Sequence, residues 1–331
     1  MSAADKKRLP GYVFIALLAG FAALNGAARS HAYHMVHFAA AGLARTPHAD
    51  TMTWSQKALV LFTGVTLPRP VARRTPADLG LAYETLRLTS GPAMTLEAWR
   101  ISLKDSRGLA VLLHGYAGEK SQLLDEAAAL RAFGYEALLV DFRGVGGSDG
   151  TETTVGWLEA EDAAAAIAFA RGLAGAKPVV VYATSMGAAA ALRAAGPLGA
   201  RPDAMVLESV YDTLRRTTGR RFLVMGAPAW PFTDLLLFWG GLHAGFKPSE
   251  LEPVRFAPSV RCPVLLLHGS HDRYVAVEDA KAVAAALGGR GRLALFESSG
   301  HGRFLRSEPV LWGETLREFL AALQAPARMS Q

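Results

Sequence analysis

From Leu81 onward the chain alternates between two hydrophobic rhythms. Leu81 to Thr89 and Met94 to Leu103 repeat apolar and polar residues with period two around Ser90-Gly91-Pro92, which reads as an antiparallel hairpin. Leu109 to Leu113, Glu136 to Val140, Val179 to Ala183, Met205 to Leu207, Val264 to Leu267 and Leu293 to Phe296 are nearly unbroken apolar runs, as strands buried on both faces should be. Helical patterns fall between and after them, at Glu119 to Ala132, Trp157 to Leu173, Val277 to Leu287 and Glu308 to Leu323. Strands separated by helices need crossover connections, which put helices on both faces of a mostly parallel sheet. The expectation is an α/β fold with eight strands, the first two paired as the hairpin.

The first seventy-five residues follow another rule. Gly11 to Ala28 carries no charge for 18 residues and follows Lys6-Lys7-Arg8. As a helix it would span about 27 Å, close to the thickness of a bilayer core. A retained signal anchor and a cleaved signal peptide share this pattern; the length of the run favours the anchor over the small-residue cleavage site at Gly26-Ala27-Ala28. The basic cluster ahead of it predicts the N-terminus inside and the rest of the chain outside the cytoplasm, with Arg29 working against that orientation. The domain expectation is an anchor over 1–30, a juxtamembrane helical segment over 31–75 and a catalytic domain over 76–324. His31, His34, His37 and His48 fall in the second of these. At about 100° per residue the first three fan around a helix rather than converge, so packing at the interface is expected instead of a metal site.

Charge sharpens this division. Up to residue 75 there are nine basic residues against two acidic, leaving 26 against 27 in the remainder of a chain with net charge +6. The basic pI of about 9.5 therefore belongs to the membrane-flanking end and does not predict nucleic-acid binding. One cysteine, Cys262, excludes an intrachain disulfide and a multi-cysteine zinc site, and its place before Pro263 and an apolar run predicts a buried thiol.

Candidate chemistry sits in the turns after the buried runs. Ala183-Thr184-Ser185-Met186-Gly187 joins a strand directly to an alanine-rich helix, a variant of the strained elbow that exposes a nucleophilic serine, with Ala183 in place of the usual glycine. His114-Gly115-Tyr116-Ala117-Gly118 follows a strand two earlier, where the amide of Tyr116 could join that of Met186 to receive an oxyanion. A serine needs a base, and the base needs an orienting group. Asp272 follows the strand at 264–267 and His301 the strand at 293–296, so the order is serine, acid, histidine. Loops at the carboxyl ends of parallel strands share one sheet edge. Asp212 is the alternative acid, and the His-Gly-x-x-Asp setting of Asp272 favours the latter. His114, His268, His271, Glu208 and Asp141 are expected to shape the surrounding loops. The glycines at 144–150 lack the dinucleotide register, because Asp149 occupies its third glycine position, and no phosphate-binding P-loop is present.

HGYAG (114–118), DFRGVGGSDG (141–150), ATSMG (183–187), HGSHDRYV (268–275) and SGHGR (299–303) together resemble a serine hydrolase of the α/β-hydrolase superfamily over about residues 76–324. The arrangement is similar to its membrane-anchored members with a short lid. That resemblance implies an α/β-hydrolase fold with a lid insertion at about 212–260, a triad of Ser185, Asp272 and His301, an oxyanion hole at Tyr116 and Met186, and no cofactor or metal. It implies hydrolysis of carboxylic esters or thioesters, with a serine peptidase or acyltransferase as alternatives and a membrane-tethered, non-catalytic binding module as the alternative of another class. The aromatic and leucine-rich insertion suits an acyl chain or its own small core equally well. Arg215, Arg216, Arg220 and Arg221 read either as a solvated helix face or as an attraction for anionic head groups.

Overall fold

The computed structural model describes residues 3–47 and 51–323; His48 lies outside the described residues. In chain order the elements are α1 (Ala3–Val36), α2 (Trp54–Thr63), β1 (Glu84–Thr89), β2 (Thr95–Ile101), β3 (Gly108–Leu113), α3 (Leu124–Ala132), β4 (Tyr135–Val140), α4 (Glu159–Ala174), β5 (Val179–Thr184), α5 (Met186–Ala195), β6 (Ala204–Glu208), α6 (Leu214–Met225), α7 (Phe232–Ala244), α8 (Pro253–Phe256), β7 (Val264–Gly269), α9 (Val277–Leu287), β8 (Gly291–Phe296), α10 (Phe304–Ser307) and α11 (Pro309–Ala322). The strands form one eight-stranded sheet in the order β1-β2-β4-β3-β5-β6-β7-β8. β1 and β2 are the antiparallel hairpin, β2 meets β4 antiparallel, and every later pairing is parallel.

The apolar runs become strands because both of their faces are covered. β3, β4 and β7 are buried at every position. One side of the sheet packs the alanine faces of α4 and α5 with Val283 and Leu287 of α9; the other packs α3 with Trp312, Leu316 and Phe319 of α11. Alanines on α4 and α5 let the helices approach closely, and the bulk comes from the valines and leucines of the strands. The parallel register sets Leu113 beside Ala183, Thr184 beside Glu208, and Glu208 beside Leu267, which lines the carboxyl ends of β3, β5, β6 and β7 along one edge.

A third, smaller core lies outside the sheet, where Ala32 of α1 packs with Phe222 and Leu236 of the insertion between β6 and β7. α1 does not stop at Arg29-Ser30: it continues to Val36, and Gly11–Val36 is long and apolar enough to cross a membrane, with a mean hydropathy of 1.7. Arginine is a good helix former, so a single charge is no reason to end a helix. The actual end is fixed by tertiary contacts, which take up a terminal carbonyl and pair the chain just beyond it. Thr153 N–H donates to Val36 O at 2.8 Å and Phe38 N–H to Thr151 O at 2.8 Å. The segment that follows carries α2, whose Thr53 and Gln56 form a capping box.

Candidate active site

Ser185 stands between β5 and α5 with φ 50° and ψ −111°, a conformation that L-residues rarely adopt. Two contacts hold it there. Its N–H donates to Glu208 O at 2.8 Å. Gly187 lies so close to the end of β3 that a Cβ would come 2.6 Å from His114 O and 2.7 Å from Leu113 O. Ala183 is fully buried in β5; a methyl group fits there, which is why alanine replaces the usual glycine.

His301 occupies the loop after β8. Gly302 N–H donates to Ser209 Oγ at 3.0 Å, and His271 N–H to Ser299 O at 3.0 Å. Gly269 leaves room for that loop, since a Cβ would lie 2.5 Å from Ser299 O. The imidazole bridges the site: Nε2 is 3.0 Å from Ser185 Oγ and Nδ1 is 2.7 Å from Asp272 Oδ2. With its proton on Nδ1, facing the carboxylate, the ring presents Nε2 as an acceptor for the serine hydroxyl. Asp272 Oδ1 accepts from Tyr274 N–H at 2.8 Å and Val275 N–H at 2.9 Å, so the turn fixes the carboxylate with Oδ2 toward the histidine. Burial pushes the Asp272 carboxyl up, but the hydrogen bond and charge of His301 and the two backbone donors outweigh it, and the net shift is downward. Asp212, the alternative acid, is turned elsewhere, with Oδ2 accepting from Arg216 Nη1 at 2.6 Å.

The loop after β3 passes directly over the serine: a Cβ on Gly115 would lie 3.7 Å from Ser185 Cβ. Among the described residues, neither the Tyr116 nor the Met186 N–H has a hydrogen-bond partner. The Tyr116 phenol donates instead to Met35 O of α1 at 2.5 Å. His114 is buried and its Nε2 accepts from Phe142 N–H at 3.1 Å; burial holds its pKa down, so it shapes the loop as a neutral ring. The glycines at 144–150 wrap the Asp141 carboxylate, which accepts from Gly147 N–H at 3.0 Å and pairs with buried Lys120. Their job is local packing. Glu208 is buried at the end of β6, bonded to the Tyr182 phenol, and burial pushes its carboxyl up to about 8. Cys262 is a buried free thiol whose pKa burial raises to about 12.

Ser185 opens into an apolar cavity of about 230 Å³. Its walls come from α1 (Ala32, Met35), α6 (Phe222) and α7 (Leu236, Leu237), besides Met186 itself. No sequence pattern announced that α1 would supply a wall, because its partners lie about two hundred residues away. The structure also sorts the arginines. Arg215 pairs with Asp234 at 2.8 Å and Arg216 with Asp212 and Asp279, whereas Arg221 lines the cavity. Arg221 lies 5.0 Å from the centroid of Tyr274, whose ring is 5.7 Å from that of His301. Among the described residues it has no carboxylate partner. A usable signal existed: Arg221 is four residues from Thr217 and one from Phe222, on the buried face of α6. Of the histidines, His31 Nδ1 meets Val60 O at 3.2 Å and His37 stacks on Tyr33, and the described residues contain no cluster fit to hold a metal.

Residues 104–217 match the family described as serine aminopeptidase, S33. An esterase of Pyrococcus furiosus is 26% identical, with a TM-score of 0.65, over 77% of this chain and 96% of its own. The protein YqkD of Bacillus subtilis is 21% identical over 68% of this chain and 75% of its own length. The lysophosphatidylserine lipase of Danio rerio is 27% identical over 55% of this chain and 48% of its own. Taken with the sheet order, these matches make the chain a serine hydrolase of the α/β-hydrolase superfamily.

Proposed function

We propose that this enzyme hydrolyses carboxylic esters of long apolar acyl chains at a membrane surface, through an acyl-enzyme on Ser185. The observation that carries the reading is the Ser185–His301–Asp272 chain opening onto a cavity walled by apolar side chains. His301 Nε2 takes the serine proton as Oγ attacks the ester carbonyl, and Asp272 stabilises the imidazolium that forms. The carbonyl oxygen, now an oxyanion, accepts from the N–H groups of Tyr116 and Met186. Collapse breaks the bond to the alcohol oxygen, which leaves with the proton from His301. A water molecule then gives its proton to His301 and attacks the acyl carbonyl, releasing the acid and restoring Ser185.

The acyl chain occupies the cavity, where apolar contact favours it. Arg221, one aromatic ring from His301, supplies a positive charge for an anionic group on the substrate. The lipase of Danio rerio, matched over about half its length, supports a lipid ester as the substrate class. α1 crosses the membrane once, and Lys6-Lys7-Arg8 keep its start in the cytoplasm and the catalytic domain outside it.

Fluorophosphonate labelling of the purified full chain tests the nucleophile. Label is expected on the parent, none on Ser185→Ala and little on His301→Ala, with kcat/KM rising along a series of p-nitrophenyl esters of increasing chain length. An unlabelled but folded parent would refute the assignment.

A further inference from the structure

Large apolar side chains stand exposed on the elements that wall the cavity and play no part in the chemistry. Trp54 and Leu59 on α2, Leu223 on α6, Trp230 before α7, and Phe238 and Leu242 on α7 are each more than half exposed. Phe238 and Leu242 lie four residues apart, on one face of α7. α7 is not free to turn that face elsewhere, because it is strapped to α1. Trp239 Nε1 donates to Asn25 Oδ1 at 3.3 Å, and His243 Nε2 meets Arg29 O at 3.3 Å. The two contacts fall one turn apart on each helix, at Asn25 and Arg29 of α1 and at Trp239 and His243 of α7.

This alignment fixes depth. Asn25 lies about 21 Å along the helix from Gly11 and Arg29 about 27 Å, so a bilayer core of about 30 Å that begins near Gly11 ends close to Arg29. Trp239 therefore sits just inside the hydrocarbon boundary, the level at which tryptophan is favoured. Phe238 and Leu242 flank that level on the outward face. Ala32 and Met35, only one to two turns further along α1, already line the cavity together with Leu236 and Leu237 of α7. The walls of the cavity are thus continuations of helices that lie at the bilayer surface.

We propose that α7 is immersed in the interface of the bilayer that holds α1, and that the cavity draws its ester from that bilayer rather than from water. The substrate class is then a membrane-resident lipid ester, whose chain enters the cavity from the bilayer side to reach Ser185. This rests on the serine-hydrolase reading above. The occupant of the exposed face is lipid rather than a second copy because α1, an apolar helix fit to span the membrane, holds α7 at that depth.

The test uses the full chain reconstituted in phosphatidylcholine vesicles and the double variant Phe238→Asp/Leu242→Asp, which lies outside the cavity. Two substrates are compared: p-nitrophenyl butyrate, dissolved in water, and a long-chain methylumbelliferyl ester carried in the vesicles. The variant is expected to hydrolyse butyrate within about twofold of the parent and the vesicle-borne ester about tenfold more slowly, since charge on an interfacial face weakens its insertion. Unchanged hydrolysis of the vesicle-borne ester would overturn the proposal. So would an equal fall in both activities, or a parent that is dimeric in detergent while the variant is monomeric. A parent that hydrolyses neither ester and takes no label at Ser185 would instead overturn the reading on which the proposal rests.

Discussion

The backbone of Ser185 offers a quantitative test, because its strain can be released without changing the fold around it. At φ 50° and ψ −111° a side chain with a Cβ is crowded, and such residues cost about 1–3 kcal/mol. Ser185→Ala removes the hydroxyl and its bond to His301 but keeps the Cβ, so the strain remains. Ser185→Gly removes the same bond and the strain together. Glycine adds unfolded-state entropy worth about 0.4–1 kcal/mol against the fold. The difference leaves the glycine variant more stable than the alanine variant by about 1 kcal/mol, or a melting temperature higher by about 3 °C for a domain of this size. Because both variants lose the hydroxyl, the hydrogen bond to His301 cancels in the comparison. Thermal melting of the two proteins in the same detergent reads the difference directly. A glycine variant that melts with or below the alanine variant would show that the elbow holds no strain, and the account of why the serine stands exposed would fall with it.

Other consequences can be checked on the same preparation. Asp272→Asn should lower kcat by about three to four orders of magnitude, as loss of the orienting carboxylate does elsewhere, while Asp212→Asn should stay within about threefold; comparable losses would reinstate Asp212 as the triad acid. Glu208 has its folded pKa raised to about 8 from the ordinary carboxyl value, so the folded state binds more protons across that window and stability falls as pH rises from about 5 to 8. Glu208→Gln should flatten that slope in melting curves, and an unaltered slope would assign it to another group. Arg221→Leu should lower the ratio of kcat/KM for an anionic ester to that for its neutral counterpart by about tenfold; an unchanged ratio would remove Arg221 from substrate recognition.

Much of this architecture is written locally in the chain. Continuous apolar runs such as Leu109 to Leu113 have one stable destination, a strand covered on both faces, and parallel pairing then brings every following loop to one edge. The loops carrying Tyr116, Ser185, Asp272 and His301 therefore converge for a topological reason that can be read without coordinates. The cavity could not be read in that way. Ala32 and Met35 look like the tail of a membrane helix, and only long-range packing against Phe222 and Leu236 makes them part of a binding surface. Arg29 and Ser30 look like a helix end, yet the end is set by Val36 O meeting a backbone donor from residue 153. Among four arginines of one type, the distinction between Arg215 and Arg221 depends on which side of α6 faces the cavity, which the alternation of Leu214, Thr217, Thr218 and Phe222 encodes only weakly.

The pairing of α1 with α7 also bears on how the protein is made. The bond between Asn25 and Trp239 joins residues 214 positions apart. At a synthesis rate of about 5–20 residues per second, α7 leaves the ribosome about 10–40 s after the segment it will cover. Throughout that interval the inner face of α1 has no protein neighbour from the lid, and its alanines must rest against whatever surrounds the nascent chain. That face includes Asn25, whose side-chain oxygen meets Trp239 Nε1 only once α7 has been made. The binding cavity accordingly closes only after α7 has been made, on a helix synthesised well before it.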